Sequence, residues 1–247
     1  MKLLINILGK RKLLDNKIKN DLHTEHGVIK KKDFNNKKNG IIKSHNGKKF
    51  LILKPNFKDL FDKIKRGPQI ITLKDAGFIA SQLGIMNGSK VLDCGSGSGA
   101  MTCFLANIAG SRGKIISVDK EKKFCEITRS NVDLFGFKNV KIICRDIKDF
   151  KDKGFDAANL DLPNPEKIMP VIKKCLKQGG MLSVYVPNTT QVTSFLDKMD
   201  KSFKLLGVYE IIKRKWKTGK GIMRPESKNM HTGFVIILRY LEGLQND

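Results

Sequence analysis

The chain has 247 residues, 40% of them apolar, which is enough for one large domain with a small appendage and a buried core. It contains 48 Lys and Arg against 24 Asp and Glu, so its formal net charge is +24. This charge favours a polyanionic partner, because each phosphate that is neutralised releases counterions, although a lysine-rich proteome is an alternative explanation.

The five cysteines are widely spaced and include no CxxC pair, which argues against a disulfide framework and for a reducing compartment. His23 and His26 have no Cys or further His nearby to complete a ligand set, so no metal site is predicted. The apolar runs are too short for a membrane span, and the N-terminal segment has no small-residue cleavage site. These features predict a cytoplasmic protein that does not enter a membrane.

Residues 1–66 are predicted to form a small, basic, β-rich N-terminal domain. Short apolar runs lie between turns rich in Lys, Asn and Gly, as in NGIIKSHNGKKFLILKP, and this pattern is typical of small strands and hairpins. A disordered basic tail is the alternative, but KFLILKP has the character of a strand.

Strand and helix patterns alternate over residues 67–247. Strands are predicted in KVLDCG, GKIISVD, VKIICRD, FDAANLDL and MLSVYVP, and helices in KDAGFIASQLGIM, AMTCFLANIAG, KKFCEITRSNVDLFG, PEKIMPVIKKCLKQGG and TQVTSFLDKMD. This alternation predicts a doubly wound, Rossmann-like α/β fold with a largely parallel sheet. The last two strand-like runs, GVYEIIKRKWK and TGFVIILRYLE, leave little room for a helix and are expected to form an antiparallel pair at the sheet edge.

A glycine-rich loop, VLDCGSGSG, follows the first of these strands. Ligands of doubly wound sheets bind at the carboxyl ends of the strands, where this loop belongs. Gly95, Gly97 and Gly99 allow the backbone to turn tightly and to approach a ligand. The same glycine spacing also serves dinucleotide-binding folds, so the loop alone does not identify the ligand.

Acids near three successive strand ends discriminate between NAD and S-adenosyl-L-methionine, the two cofactors that this loop suits. Asp119 ends the second strand, where a carboxylate can accept hydrogen bonds from both hydroxyls of a ribose. Asp93 would repel a pyrophosphate but suits a cationic amino-acid group, or it orients the loop. Asp146, near the end of the third strand, could meet an adenine amino group. The pattern favours S-adenosyl-L-methionine.

A further acid, Asp161, ends the strand FDAANLDL and precedes a loop that two prolines restrict. Capping of the next helix is an alternative role for it. The segments VLDCGSGSGAMT, LDLPNP, GGMLSVYVPNTTQV and RPESKNMHTGFVIILR, in this order, resemble the tRNA adenine-N1 methyltransferase family, whose members modify position 58 of the T loop. The resemblance runs from about His23 to Arg239, and LDLPNP with RPESKNMHTGF is its most distinctive part.

The resemblance implies roles for individual residues. The catalytic carboxylate of the family falls on Asp161, which would accept a hydrogen bond from the adenine amino group and stabilise the cation that methylation creates. It also implies tRNA contacts for Arg224, His231 and Thr232, and a homotetramer of chains with a small N-terminal β-domain. The predicted cofactor-binding residues are Gln69, Asp93, Gly95, Ser96, Gly97, Ser98, Gly99, Asp119, Lys120, Asp146, Ile147 and Asp161.

The chain departs from the family pattern near the acceptor base. Thr72 and Leu73 stand where the family has Tyr and Pro, and Glu166 stands where it has Trp. Loss of the Tyr and the Trp removes surfaces on which a flipped base could stack. Trp216, in the basic C-terminal segment, could stack on a base, but we expect it to be a core residue.

Three functions are compatible with these residues. The first is a tRNA adenine-N1 methyltransferase that modifies adenosine 58, alone or together with adenosine 57. The second is a non-catalytic tRNA-binding subunit, which the intact glycines, Asp119 and Asp161 disfavour. The third is a class I methyltransferase for a small molecule or a protein, which the charge of +24 disfavours.

Overall fold

The structure is a computed structural model that describes residues 1–67, 70–219, 221–227 and 231–243. The chain divides into two compact units, Met1–Ile64 and Lys65–Asp247. Gln69, one of the predicted cofactor-binding residues, lies outside the described residues. Within the described ranges, no helix combines the length and the apolar character that crossing a membrane requires.

The first unit is built around a four-stranded antiparallel sheet. Its elements are β1 (Lys2–Asn6), β2 (Arg11–Leu14), β3 (Leu22–Thr24), β4 (Gly27–Ile29), α1 (Lys31–Asn36), β5 (Gly40–Lys43), β6 (Lys49–Leu53) and α2 (Phe57–Phe61). The strand order is β2-β1-β6-β5, and β3 and β4 form a separate hairpin. Phe50 and Ile52 alternate with exposed residues along β6, so one face of the sheet covers the core of this unit.

The second unit contains the remaining elements. They are α3 (Leu73–Gln82), β7 (Lys90–Cys94), α4 (Ala100–Ala109), β8 (Lys114–Asp119), α5 (Lys122–Phe135), β9 (Val140–Cys144), β10 (Phe155–Leu160), α6 (Met169–Cys175), β11 (Leu176–Val186), α7 (Thr189–Asp197), β12 (Phe203–Glu210), β13 (Trp216–Gly219), β14 (Ile222–Pro225) and β15 (Phe234–Tyr240). Two 3₁₀ helices, Ile147–Asp149 and Pro165–Ile168, follow β9 and β10.

These elements form a seven-stranded sheet with the order β12-β15-β11-β10-β7-β8-β9. Strands β7 to β11 pair in parallel, while β15 is antiparallel to both β11 and β12. This arrangement confirms the predicted Rossmann-like fold and its antiparallel C-terminal pair. From β7 the chain adds β8 and β9 on one side and then β10 and β11 on the other. Ligands of doubly wound sheets bind at this switch point in the strand order.

Apolar side chains bury both faces of the central strands. On one face, Ile79 of α3 and Leu105 of α4 pack with Tyr185 of β11. On the other face, Met169 of α6 and Phe195 of α7 pack with the same sheet. Burial on both sides explains why the parallel strands read as continuous apolar runs rather than as alternating ones.

Two sequence-based boundaries differ from the structure. The helix predicted over PEKIMPVIKKCLKQGG ends at Cys175, and its two glycines lie inside β11. Pro170 stands in the first turn of α6, where its missing N–H costs no hydrogen bond, so it begins a helix rather than interrupting one. Strand β12 ends at Glu210, and the basic residues after it do not continue the sheet.

Those basic residues belong to a separate two-stranded hairpin, β13 and β14, which together with its flanking residues spans 213–226 and is called the basic ribbon below. The prediction that Trp216 is a core residue is wrong: its side chain is 48% exposed. The ribbon leaves the sheet instead of extending it, so Trp216 has no helix layer to pack against.

Candidate active site

The loops after β7 and β10 touch at the carboxyl edge of the sheet. The backbone N–H of Asp161 donates to the Cys94 carbonyl oxygen at 2.9 Å. Gly95 has a φ of +86°, and a Cβ there would overlap the Asp161 carbonyl oxygen and lie 2.8 Å from the Leu162 side chain. Only a glycine allows the two loops to meet in this way.

The other two glycines of the loop have different surroundings. Gly99 (φ +72°) precedes α4, and a Cβ there would lie 2.8 Å from Thr128 on α5. Gly97 (φ +52°) has open space on its Cβ side, with no atom within 4 Å, and its N–H donates to Asp119 Oδ2 at 3.1 Å. The loop is therefore packed at both ends and leaves a cradle at its middle.

Asp93 lies in a buried chain of hydrogen-bonded polar side chains beneath this loop. Its oxygens accept hydrogen bonds from the Thr102 hydroxyl at 2.6 Å and from the Asn159 amide at 2.9 Å. Burial raises the pKa of Asp93 to about 6. Both oxygens are engaged, which supports the loop-orienting role of the two considered for this acid. The members of the chain, in order, are Ser96, Ser117, Thr102, Asp93, Asn159 and Ser183.

The remaining predicted cofactor residues follow β8 and β9. Asp119 is 8% exposed and accepts from the Glu121 N–H at 2.9 Å in addition to Gly97. Lys120 is exposed, with its ammonium 3.9 Å from Glu121 rather than on Asp119. Asp146 caps a 3₁₀ helix by accepting from the Lys148 N–H at 2.9 Å, and the next residue, Ile147, is buried.

The site is electrostatically acidic. The pKa of Asp161 rises to about 7, first because the carboxyl is buried and then because Asp93 and Asp119 are nearby. No basic side chain of the described residues contributes to the pKa shift of either Asp161 or Asp93. A cluster of uncompensated acids suits a cationic ligand and repels a pyrophosphate. This is the charge that the sulfonium and ammonium groups of S-adenosyl-L-methionine carry.

The predicted tRNA residues fall in two places: Arg224 lies in the ribbon, and His231 and Thr232 lie just before β15. Arg224 is exposed on β14, opposite Lys217 in the ribbon. His231 Nδ1 lies 2.6 Å from a Glu210 carboxylate oxygen, and its Nε2 lies 3.0 Å from the Pro187 carbonyl oxygen. The hydrogen bond to Glu210 raises the pKa of His231. The imidazole is therefore held between two strand ends.

Thr232 is engaged inside the protein. Its hydroxyl donates to Asp75 Oδ2 at 2.9 Å and accepts from the Lys74 ammonium at 2.6 Å.

Ser98, one of the predicted residues of the glycine loop, is also engaged within the protein, because its carbonyl accepts from the Asn131 amide at 2.7 Å.

Tyr185 is a site residue that the sequence reasoning missed. It is 3% exposed and lies beside Thr232, and burial raises its pKa to about 12. Asp161 is close enough to contribute to that shift. The signal was available, since Tyr185 stands at the carboxyl end of a predicted strand, within the quoted segment GGMLSVYVPNTTQV.

Comparison with known proteins connects this geometry to a family. A family profile described as "Methyltransferase domain" matches residues 85–230. A protein of Methanocaldococcus jannaschii named tRNA (adenine(57)-N(1)/adenine(58)-N(1))-methyltransferase TrmI is 31% identical, over 96% of this chain and 94% of the relative. The chain belongs to the tRNA (adenine-N1)-methyltransferase family. The resemblance predicted from the sequence is confirmed.

Two solved structures share nearly the whole fold of this tRNA (adenine-N1)-methyltransferase family member. The tRNA (m1A58) methyltransferase TrmI from Aquifex aeolicus has a TM-score of 0.81 at 28% identity, over 98% of this chain and 96% of that one. A protein from Thermotoga maritima titled SAM-dependent O-methyltransferase has a TM-score of 0.88 at 33% identity, over 99% of this chain and 94% of that one.

The structure shows the surroundings of the three residues that depart from the family pattern, Thr72, Leu73 and Glu166. Thr72 precedes α3 and donates to Asp75 Oδ2 at 2.8 Å. Leu73 is the first residue of α3, a position where a Pro and a Leu are both tolerated. Glu166 is half-buried in the 3₁₀ helix after Asp161. Thr72 thus joins a polar cluster instead of presenting an aromatic ring.

Proposed function

We propose that this chain transfers the methyl group of S-adenosyl-L-methionine to N1 of an adenosine in the T loop of tRNA, at position 58 alone or also at position 57. The single observation that carries the proposal is the position of Asp161, half-buried at the switch point with its backbone held against the glycine loop. The Methanocaldococcus and Aquifex relatives are named for methylation of N1 of a tRNA adenosine.

S-adenosyl-L-methionine supplies a methyl group that is already activated as a sulfonium. Asp119 would hold the ribose hydroxyls, and Asp146 with Ile147 would border the adenine. The open cradle at Gly97 supports this assignment, as does the acidic character of the site. Ser96, Ser98, Lys120 and Gln69 complete the proposed cofactor set.

Asp161 accepts a hydrogen bond from the exocyclic amino group of the target adenine. This bond raises the electron density at N1 and stabilises the positive charge that develops there. The ionised carboxylate is the stronger acceptor and supplies the negative charge, but it does not have to take the proton. Pro163 and Pro165 restrict the following loop, and Asn164 between them adopts a left-handed conformation (φ +53°), so the acid is held in place.

The basic ribbon is suited to bind the tRNA backbone. It starts and ends at the carboxyl edge, because Phe234, the first residue of β15, pairs with the last residues of β11 and β12. Its strand register puts Lys217 and Arg224 on one face and Trp216 with Pro225 on the other. Two like charges directly opposite each other favour an anion between them.

The N-terminal unit is the second tRNA-binding element that we propose. The lining of a cleft of about 320 Å³ in this unit includes four basic residues, the Phe50 ring and one acid, Glu25, which pairs with Lys10 at 2.8 Å. A positively charged groove with an aromatic side chain is typical of surfaces that bind single-stranded nucleic acid. The basic lining residues are Lys10, Arg11, Lys12 and His23.

We further propose a homotetramer, as the family resemblance implies. Strand β12 is one of the two edge strands of the large sheet, and its Leu205, Leu206 and Val208 side chains are 36%, 49% and 38% exposed. An exposed apolar edge strand supports pairing with another chain. Sedimentation velocity measures the mass in solution, and a monomer at micromolar concentration would contradict the tetramer.

Incubation of unmodified tRNA with the protein and labelled S-adenosyl-L-methionine, followed by nucleoside analysis and primer extension, tests the reaction. We expect N1-methyladenosine and a primer-extension stop in the T loop, both strongly reduced with Asp161→Asn. Recovery of a 2′-O-methylated nucleoside would support the O-methyltransferase title of the Thermotoga relative instead. Absence of cofactor binding by calorimetry would support the non-catalytic subunit.

A further inference from the structure

The position of the basic ribbon depends on the two points where it joins the large sheet, which are called its roots below. Every described residue from 213 to 225 is exposed, and β13 and β14 pair only with each other. An isolated two-stranded hairpin is at best marginally stable in water. The first root follows β12 at Ile211, and the second precedes β15 at Thr232. Contacts that hold these two roots in place therefore determine the position of the ribbon.

One buried ammonium group contacts both roots. Lys74 Nζ donates to the Ile211 carbonyl oxygen at 2.6 Å and to the Thr232 hydroxyl at 2.6 Å. Its third contact is Asp75 Oδ1 at 2.7 Å. The three donors of the ammonium thus have three acceptors, and the Lys74 side chain is only 13% exposed.

Asp75 completes the arrangement from the same helix. Its side chain is fully buried, and its other oxygen accepts from the Thr232 hydroxyl at 2.9 Å and from the Thr72 hydroxyl at 2.8 Å. Each charge therefore compensates the other, and each also binds the second root directly. A buried pair of this kind is sensitive to the loss of either partner, because the remaining charge is left uncompensated.

We propose that Lys74 and Asp75 form a buried clamp that closes the base of the basic ribbon and sets its position relative to Asp161. The clamp reaches the catalytic acid through Thr232, which lies beside the Tyr185 hydroxyl, itself near Asp161. Lys74 and Asp75 are positioning residues, because the polar atoms of both side chains bind protein groups. The part of this inference that concerns tRNA rests on the proposed function, whereas the closure of the ribbon does not.

The experiment compares Lys74→Met, Asp75→Asn and Thr232→Val with Lys177→Met in the full chain. Lys177 also forms an ion pair, with Asp156 at 2.5 Å, but it lies at the opposite edge of the sheet. Thr232→Val removes one hydroxyl and keeps the charged pair, so it remains informative where the charge variants fail to fold. Lys74→Arg tests for rescue by a residue of the same charge.

Limited trypsin digestion without RNA measures the closure of the ribbon at its Lys and Arg residues. We expect cleavage there to be about tenfold faster in the clamp variants than in Lys177→Met, since proteolysis follows the population of the opened state. We also expect kcat/KM for tRNA to fall by about a hundredfold. The dissociation constant for S-adenosyl-L-methionine should not change.

Other results would overturn the clamp. Cleavage no faster than in Lys177→Met would mean that the roots are held by other contacts. Equal losses of cofactor and tRNA binding would mean that Lys74 and Asp75 serve only general stability. If the wild-type chain does not methylate tRNA, the proposed function fails, but the digestion result still decides whether the clamp exists.

Discussion

Gly95 and Asp161 are in backbone contact, although they are 66 positions apart in the chain: the carbonyl oxygen of Asp161 occupies the space that a Cβ on Gly95 would need. The glycine belongs to the proposed donor loop and the aspartate is the proposed catalytic acid. The distance between the donor loop and the catalytic acid is therefore set by a backbone contact at a glycine and not by a flexible side chain.

Gly95→Ala should abolish activity and destabilise the fold. The methyl group would displace the Asp161 carbonyl and the Leu162 side chain, in addition to the strain of about 1–2 kcal/mol for a left-handed alanine. Gly136→Ala is the matched control, because Gly136 has a φ of +73° with no atom within 4 Å of its Cβ position. Methyl transfer and urea unfolding measure both effects. Equal effects of the two substitutions would contradict the contact.

Activity should rise with pH through the range set by Asp161. Its pKa is raised to about 7, and the ionised carboxylate is both the stronger acceptor and the form that stabilises the developing cation. The pH profile of kcat/KM for S-adenosyl-L-methionine should therefore increase around pH 7. Asp161→Asn should lower the rate by about a hundredfold to a thousandfold and flatten this limb of the profile.

The same raised pKa predicts how stability depends on pH. Ionising Asp161 costs more in the folded state than in the unfolded chain, so its contribution to stability is lost as the pH rises toward 7 and above. Asp161→Asn should therefore have a higher free energy of unfolding than the wild type at pH 8, and the advantage should vanish near pH 4. An advantage that is equal at both pH values would show that the carboxyl is not buried in this way.

Asn159→Leu should destabilise the protein by about 1–3 kcal/mol, because it leaves the buried Asp93 short of a donor. The loss should be larger above pH 6, where Asp93 is ionised. Asn139→Leu is the control, since Asn139 donates to two backbone carbonyls, those of Ala106 and Gly110. Its effect should not follow the ionisation of Asp93. Urea unfolding at pH 5 and pH 8 compares the two.

Lys217→Ala and Arg224→Ala should each weaken tRNA binding and reduce the slope of log K against log salt by about 1, the value for one lost phosphate contact. Filter binding across a salt series measures both quantities. Lys114→Ala is the control, because Lys114 is exposed at the start of β8, on the amino edge of the sheet. An equal change in slope for all three would mean that the ribbon has no special role.

Trp216→Ala should weaken tRNA binding by about 1–3 kcal/mol without changing the salt slope, because stacking on a base involves no counterion release. The exposed side chain predicts little change in thermal stability. A large fall in the melting temperature would show instead that Trp216 is buried in an assembly of this chain.

The sequence was sufficient for the sheet and for the acids at the ends of its strands. Strands such as β8 and β11 are apolar runs buried on both faces, and Gly136 ends α5 in the left-handed conformation that such a position favours. The acids at the strand ends were visible for the same reason: each follows a run that has to be buried.

Side-chain partners were not accessible to the same reasoning. Asp93 and Asn159 are 66 positions apart, and only the pairing of β7 with β10 brings the amide to the carboxylate. Thr232 lies within a recognisable motif, yet its hydroxyl is committed to α3. Trp216 was misjudged because an aromatic residue in a strand pattern is buried only when a second layer covers it.

The acidity of the site has a consequence for the whole catalytic cycle. Methyl transfer moves the positive charge of the sulfonium to the acceptor base, and the surrounding acids therefore face the same total positive charge before and after the step. The net charge of the pocket and its bound groups does not change during methyl transfer. The imbalance arises when the methylated tRNA departs, and the arrival of a fresh cationic donor is what relieves it.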